Sequence, residues 1–138
     1  MFVHTLDDKN RLALPAKFRT RLADGVVITA GMDKCLLVYP AEEFQALFER
    51  VSALPLMDRE AATLRRLLFT NAYDTVPDKQ NRVVIPQALC DYAALAGEVI
   101  IVGVGRFIEL WNASEWDRAQ QEIRTHAADQ NIWAKLGV

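Results

Sequence analysis

One pattern is written twice in this chain. Asp7, Arg11 and Pro15 recur as Asp78, Arg82 and Pro86, each 71 residues on. With one extra residue in the second copy, Gly25-Val-Val-Ile-Thr-Ala-Gly31 is answered by Gly97-Glu-Val-Ile-Ile-Val-Gly103, and Tyr39-Pro-Ala-Glu-Glu-Phe44 by Trp111-Asn-Ala-Ser-Glu-Trp116, at an offset of 72. Two copies of this length do not make a solenoid, which stacks many short repeats. Each copy holds its own strand-rich and helix-rich stretches, so two intertwined half-domains are expected, with the function on what both share. At 138 residues and 51% hydrophobic, the halves together can bury one core without disulfides or metals.

Short apolar runs bounded by Gly, Asp and Pro predict strands at Arg11–Pro15, Val26–Thr29 and Cys35–Tyr39, and again at Arg82–Pro86, Val99–Val102 and Phe107–Trp111. Pro15 and Pro86 each open a short helix, since proline at the first helical position sacrifices no hydrogen bond. Phe18 and Leu22 form the apolar face of the first, and Leu89 points inward from the second, which runs to Ala94. Longer helices start near Pro40 and near Ser114, the latter a candidate N-cap. Their stripes are Phe44, Leu47, Phe48 and Val51 in one, and Trp116, Ile123 and Ala127 in the other. A helix over Asp58–Thr70, with Leu64, Leu67 and Leu68 inward and Arg59, Arg65 and Arg66 on a solvated outer face, lacks a counterpart and bridges the copies. The chain therefore divides into a first half over 1–54, a helical bridge over 55–75 and a second half over 76–138. Interleaving the halves would join their strands into one small barrel without long exposed edges.

The shared motif is Asp-x-x-x-Arg, three apolar residues and Pro. Asn10 and Asn81 stand before the arginines, and asparagine accepts the left-handed backbone of a tight turn. Such a turn presents Arg11 or Arg82 outward, either merely paired with Asp7 or Asp78, or offered to a phosphate or a guanine edge through its planar donors. Overall charge is only -2, but from Met1 to Leu22 the bases Lys9, Arg11, Lys17, Arg19 and Arg21 face Asp7 and Asp8 alone, a local +3. With His4 just upstream, the first copy is expected to be the stronger anion site. The second offers Lys79 and Arg82, followed by Gln87, Cys90 and Asp91.

These residues carry a resemblance. Leu6-Asp7-x-Lys9-x-Arg11-x-x-x-Pro15-x-x-Phe18-Arg19, Cys35-Leu-Leu-Val-Tyr39-Pro40, Asp78-x-x-x-Arg82-x-x-Ile85-Pro86, Val102-Gly103 and Glu109-Leu-Trp111 resemble the MraZ family of bacterial transcriptional regulators over essentially the whole chain. The resemblance implies an α+β fold: two pseudo-symmetric AbrB-like swapped-hairpin units forming one small β-barrel with flanking helices. It also implies a ring-shaped homo-oligomer that binds double-stranded DNA at short direct repeats upstream of its own gene and represses the division and cell-wall gene cluster. Carried onto this chain, the signature turns are Asp7, Asn10 and Arg11, and Asp78, Asn81 and Arg82. Arg11 with Lys9 is then the main DNA contact, and Lys17, Arg19, Arg21, Lys79 and Arg82 are further candidates. Relatives usually have Gly where Asn10 and Asn81 stand, and many have an Arg and an acid where Cys90 and Asp91 lie.

Other functional classes find less support. The swapped-barrel relatives include a self-processing decarboxylase, whose chemistry needs a Gly-Ser bond, and this chain has no Gly-Ser dipeptide. His4 and His126, Ser52 and Ser114 assemble no nucleophile with base and orienter, so no enzyme, cofactor, metal or small-molecule substrate is expected. An AbrB-type antitoxin or a protein-interaction module without promoter recognition is the alternative. Cys35 and Cys90 read as buried free thiols, and the lack of an apolar span or leader pattern predicts a cytoplasmic protein without a membrane partner, which the resemblance to DNA-binding regulators implies is nucleoid-associated.

Overall fold

Pro15 and Pro86 do turn the chain from strand into helix, and around them the computed structural model, which describes residues 1–137, builds the same unit twice. The first unit runs β1 (Phe2–Thr5), β2 (Arg11–Ala13), a 3-10 turn at Ala16–Phe18 leading into α1 (Arg19–Leu22), β3 (Val26–Ala30), β4 (Leu36–Pro40) and α2 (Ala41–Ser52). After α3 (Arg59–Thr70) the second runs β5 (Tyr73–Thr75), β6 (Arg82–Val84), α4 (Gln87–Ala93), β7 (Glu98–Val104), β8 (Phe107–Asn112) and α5 (Ala113–His126), with α6 (Gln130–Ala134) beyond it. The opening strands β1 and β5 lie outside the strands that the apolar runs predict, because each holds only a half-buried residue or two.

The two units are interleaved. One antiparallel sheet has the order β1-β7-β8-β4-β3-β5, so each unit's opening strand pairs with a hairpin of the other, and β2 pairs with β6 in a separate ribbon. Exchanging every strand for its repeat counterpart leaves both orders unchanged, which defines a pseudo-twofold between β4 and β8 and between β2 and β6. The pairing does not close a barrel among the described residues: β1 and β5 end the sheet, and β2 and β6 pair only with each other.

Register corrects one sequence match. Phe2 faces Ile101 and Tyr73 faces Ile28, so Ile28 corresponds to Ile101 at an offset of 73, one residue beyond the glycine-to-glycine match. A one-residue slip exchanges the two faces of a strand. The extra residue is absorbed in the connection, where β7 and β8 turn tightly through Gly105 (φ +74) and Arg106, while β3 reaches β4 over the longer path from Gly31 to Cys35.

Alternation along the sheet makes two apolar faces. Val26, Ile28, Leu36, Val38, Val99, Ile101, Ile108 and Leu110 point to one side, where Leu12, Leu14, Phe18, Leu22, Val83, Ile85 and Leu89 of the ribbon and short helices close the main core. On the opposite side Ile100 and Trp111 pack under Trp116 and Ala119 of α5, with Cys35 beneath them. The neighbouring part of that side meets α2 and α3: Thr29 donates its hydroxyl to the Leu68 carbonyl at 2.6 Å, and Tyr39 stands edge-on to Phe44. The result is three layers, ribbon, sheet and helices.

Several helix details differ from expectation. The N-cap of α5 is Asn112, whose Oδ1 accepts from the amides of Ser114 and Glu115, so the chain enters this helix directly from β8. Ala61 and Leu68 are the buried residues of α3, with Leu67 half-buried and Leu64 outward. On α5 Ile123 is exposed, as is Ala127 at its C-cap. Arg65 is not free in solvent, since its Nη2 donates to the carbonyls of Leu54 and Pro55 and clasps the loop between α2 and α3.

Candidate nucleic-acid interface

Both Asp-x-x-x-Arg stretches fold into the same clasp. Asp7 Oδ1 accepts from the amides of Lys9 (2.9 Å) and Arg11 (2.8 Å), and its Oδ2 accepts from Arg11 Nε at 2.7 Å. Asp78 does likewise with the amides of Gln80 and Arg82, both at 2.9 Å, and with Arg82 Nε at 3.0 Å. The backbone closes each loop as Asp7 and Arg11, or Asp78 and Arg82, pair amide to carbonyl. Asn10 (φ +59) and Asn81 (φ +60) take the left-handed conformation that this closure requires and that asparagine tolerates. Among the described residues neither arginine donates from its terminal nitrogens: each guanidinium is held by Nε, on a side chain 32% exposed for Arg11 and 30% for Arg82.

The carboxylate is the linchpin of the clasp. The Arg11 amide, then the Arg11 side chain and the Lys9 amide, hold the Asp7 carboxyl below its ordinary range despite some desolvation; the Arg82 amide leads the same effect on Asp78. A carboxylate depressed on folding stabilises the turn above its unfolded pKa, and the contribution is lost only as pH falls through the depressed value. Both clasps are therefore intact at neutral pH.

The ribbon brings the two arginines together. Arg11 pairs with Val84 and Ala13 with Arg82, while Leu12 and Val83, fully buried, form the central pair. Side chains alternate across a strand, so Arg11, Ala13, Arg82 and Val84 share the outer face opposite the core. The arginines stand at diagonal positions about 7–8 Å apart at the backbone. Buried Asn81 donates to the Leu14 carbonyl at 3.0 Å, and the Ile85 amide to that of Asn10 at 2.8 Å, so each turn is tied to the other strand. Arg-Leu-Ala-Leu and Arg-Val-Val-Ile already place the arginine opposite the residue after it; the pairing of the two strands has no local sequence signal.

The remaining cations distribute across the copies rather than within them. Arg19 of α1 donates from Nη2 to the Lys79 carbonyl at 3.0 Å, supporting the second turn, and Arg21 reaches the Gly105 carbonyl at 3.1 Å. Lys17 sits 5.9 Å from the Phe18 ring centroid. The first turn instead meets α4, where Asn10 Nδ2 donates to Gln87 Oε1 at 3.0 Å and Gln87 donates to Asp91. His4 is engaged by the Ala13 carbonyl through Nδ1. Arg19, Arg21 and His4 thus do not reinforce the first turn, and Asp8 offsets Lys9 within it, whereas Lys79 has no such acid between Asp78 and Arg82. Lys9 and Lys79 are both exposed at their turns.

Outside the ribbon, chemistry is sparse. Burial pushes the Cys35 thiol up to about 12 and raises that of Cys90, so both are protonated at neutral pH. Among the described residues no cluster of His, Cys, Asp and Glu is placed to hold a metal ion, and no helix is long and apolar enough to cross a membrane.

The geometry can be set beside known proteins. The family model described as "MraZ protein, putative antitoxin-like" matches twice, over residues 2–67 and 68–132. The chain is 46% identical over 124 residues to the transcriptional regulator MraZ of Salinispora arenicola, covering 90% of this chain and 87% of the relative. It is 42% identical over 133 residues to the regulator of that name from Kineococcus radiotolerans, covering 96% and 93%. To that from Herpetosiphon aurantiacus it is 45% identical over 115 residues, covering 83% and 80%.

Proposed function

From the premise that the chain belongs to the MraZ family, we propose that it is a sequence-specific DNA-binding transcriptional regulator whose contact surface is the outer face of the β2–β6 ribbon. It acts as a cytoplasmic, nucleoid-associated repressor of the division and cell-wall gene cluster. It binds short direct repeats upstream of its own gene as a ring-shaped homo-oligomer of AbrB-like swapped-hairpin units.

One observation carries this: two clasped arginines on one ribbon face, each held by Nε and partly exposed, with its terminal amino groups not spent on a hydrogen bond among the described residues. The B-DNA major groove admits a two-stranded β-ribbon, and an arginine can donate in bidentate fashion to guanine or to phosphate. Holding Nε against Asp7 or Asp78 orders each guanidinium before DNA arrives, which reduces the rotamer entropy lost on binding. Lys9 and Lys79 at the turns, with Lys17, Arg19 and Arg21 around the short helix, serve phosphates and register. Assembly of several subunits links weak contacts by effective concentration, which suits a repeated operator better than a single box.

The test is a binding titration on the DNA upstream of the gene with Arg11→Ala and Arg82→Ala. Because the arginines are related by the pseudo-twofold, each substitution is expected to weaken binding at least ten-fold, with the oligomer unchanged by light scattering. Full affinity in both variants would remove the ribbon from the DNA interface.

A further inference from the structure

The two clasps of the ribbon are alike, but the charges around them are not. Asp8 of the first turn stands where the second has Lys79, and Lys9 where the second has Gln80. Antiparallel pairing sets α4 beside the first turn, where Asn10 donates to Gln87 at 3.0 Å and Gln87 to Asp91 at 2.8 Å. It sets α1 beside the second turn, where Arg19 donates to the Lys79 carbonyl at 3.0 Å. The helices differ in the same sense as the turns, since Ala88, Cys90 and Asp91 answer Lys17, Arg19 and Thr20. The first end therefore holds Lys9 and Arg11 against Asp7, Asp8 and Asp91, a formal -1. The second holds Lys17, Arg19, Lys79 and Arg82 against Asp78, a formal +3. Charges farther out do not reverse this contrast. Asp74 and Glu98 alternate to the helical side of the sheet, with Val27 and Ile100. Arg21 shares a recess with Asp24, Glu42 and Glu43, Arg106 lies 3.9 Å from Glu43, and Asp33 and Lys34 offset each other beside Tyr92.

We propose that the ribbon lies unequally on duplex DNA, its second-turn end set against a phosphate backbone by Lys17, Arg19 and Lys79, and its first-turn end, where Asp8 and Asp91 repel phosphate, turned over the groove. The assignment rests on the reading of the ribbon as the DNA surface and specifies which end of it anchors. Phosphates are held by cations, and each one neutralised releases counterions; an end with a formal -1 gains little from that release. Arg19 acts twice at the anchoring end. Its Nη2 steadies the backbone of the turn that presents Lys79, and its charge adds to the same patch. The pseudo-twofold is thereby broken at the DNA surface, with Arg82 among cations and Arg11 beside acids and Gln87. This reverses the weighting expected from the basic opening of the sequence, because the crossed ribbon delivers the cations of α1 to the second turn.

The experiment is a salt series of binding titrations with the full chain on the DNA upstream of the gene. It compares wild type with Lys79→Gln, with Lys9→Gln, and with the exchange Asp8→Lys plus Lys79→Asp, which keeps the net charge. All three side chains are exposed, and Arg19 bonds the backbone rather than the side chain of Lys79, so far-UV circular dichroism and the thermal midpoint are expected to match wild type. Lys79→Gln should lower affinity about ten-fold or more and make the slope of log K against log salt shallower by about 0.9 for each engaged subunit. Lys9→Gln should change affinity by less than about three-fold and leave the slope in place. The exchange should lose at least as much affinity as Lys79→Gln. Equal effects of the two lysines, a larger effect at Lys9, or wild-type affinity in the exchange variant overturns the assignment. Binding that also ignores Arg11→Ala and Arg82→Ala would remove the ribbon itself from the DNA surface, whereas losses in those two with none in Lys79→Gln would keep the ribbon there and remove only its unequal docking.

Discussion

At the residue scale the two asparagines are alike in backbone and unlike in surroundings. Both sit near φ +60, but Asn81 is buried and donates to the Leu14 carbonyl, whereas Asn10 lies nearer the surface and donates only to the Gln87 side chain. Asn81→Ala should therefore cost about 2–3 kcal/mol, combining the left-handed penalty with a lost buried hydrogen bond. Asn10→Gly removes no buried bond and relaxes the backbone, so its unfolding free energy from urea titration should lie within about 1 kcal/mol of wild type. A loss in Asn81→Ala of only about 1 kcal/mol, no more than the left-handed penalty, would mean that the buried bond to Leu14 adds nothing to the turn. The clasp itself is legible in sequence, because Asp four residues before Arg with Asn between them is local turn chemistry. The partner of each turn is not. Gln87 and Leu14 are 77 and 67 residues from the asparagines they meet, and only the crossed pairing of β2 with β6 brings them together.

At the element scale the same crossing decides which helix supports which turn. Sequence adjacency assigns α1 to the first turn, yet an antiparallel ribbon carries each strand's following helix to the far end, beside the other copy's turn. Arg19 bonds the Lys79 carbonyl for this reason. Arg19→Ala should release the second turn while leaving the first intact: hydrogen exchange at the Gln80 and Asn81 amides should quicken, with Lys9 and Asn10 unchanged and DNA affinity reduced. Arg21→Ala, which loses its bond to Gly105 instead, is the internal comparison and should leave exchange at Gln80 untouched. Equal exchange at Gln80 in wild type and Arg19→Ala would show that the clasp needs no support from α1. The helices α2 and α3 are legible from their apolar stripes and from the break at Leu54-Pro55. The strands β1 and β5 are not, because an edge strand of three or four residues buries too little to leave a pattern. The offset in β7 escaped for a related reason: matching glycines aligns residue types, whereas the facing core fixes side-chain orientation.

At the scale of the molecule, covalent duplication supplies two arginines on one ribbon where a single unit would supply one. Formal charge of the whole chain is -2, so attraction to DNA must come from local placement rather than from net charge. Counterion release gives a way to count that placement. Each phosphate neutralised on duplex DNA contributes about -0.9 to the slope of log K against log salt. If k subunits of an assembly touch the operator through phosphates, removing Arg11 from all of them should make the slope shallower by about 0.9k, and removing Arg82 as well should double the change. Removing an arginine that reads a base edge instead would lower affinity at every salt concentration while leaving the slope nearly unaltered. The slope therefore separates phosphate contact from base contact at each turn and reports how many subunits engage at once. A slope and an affinity that both ignore Arg11 and Arg82 would place the DNA surface elsewhere on the molecule.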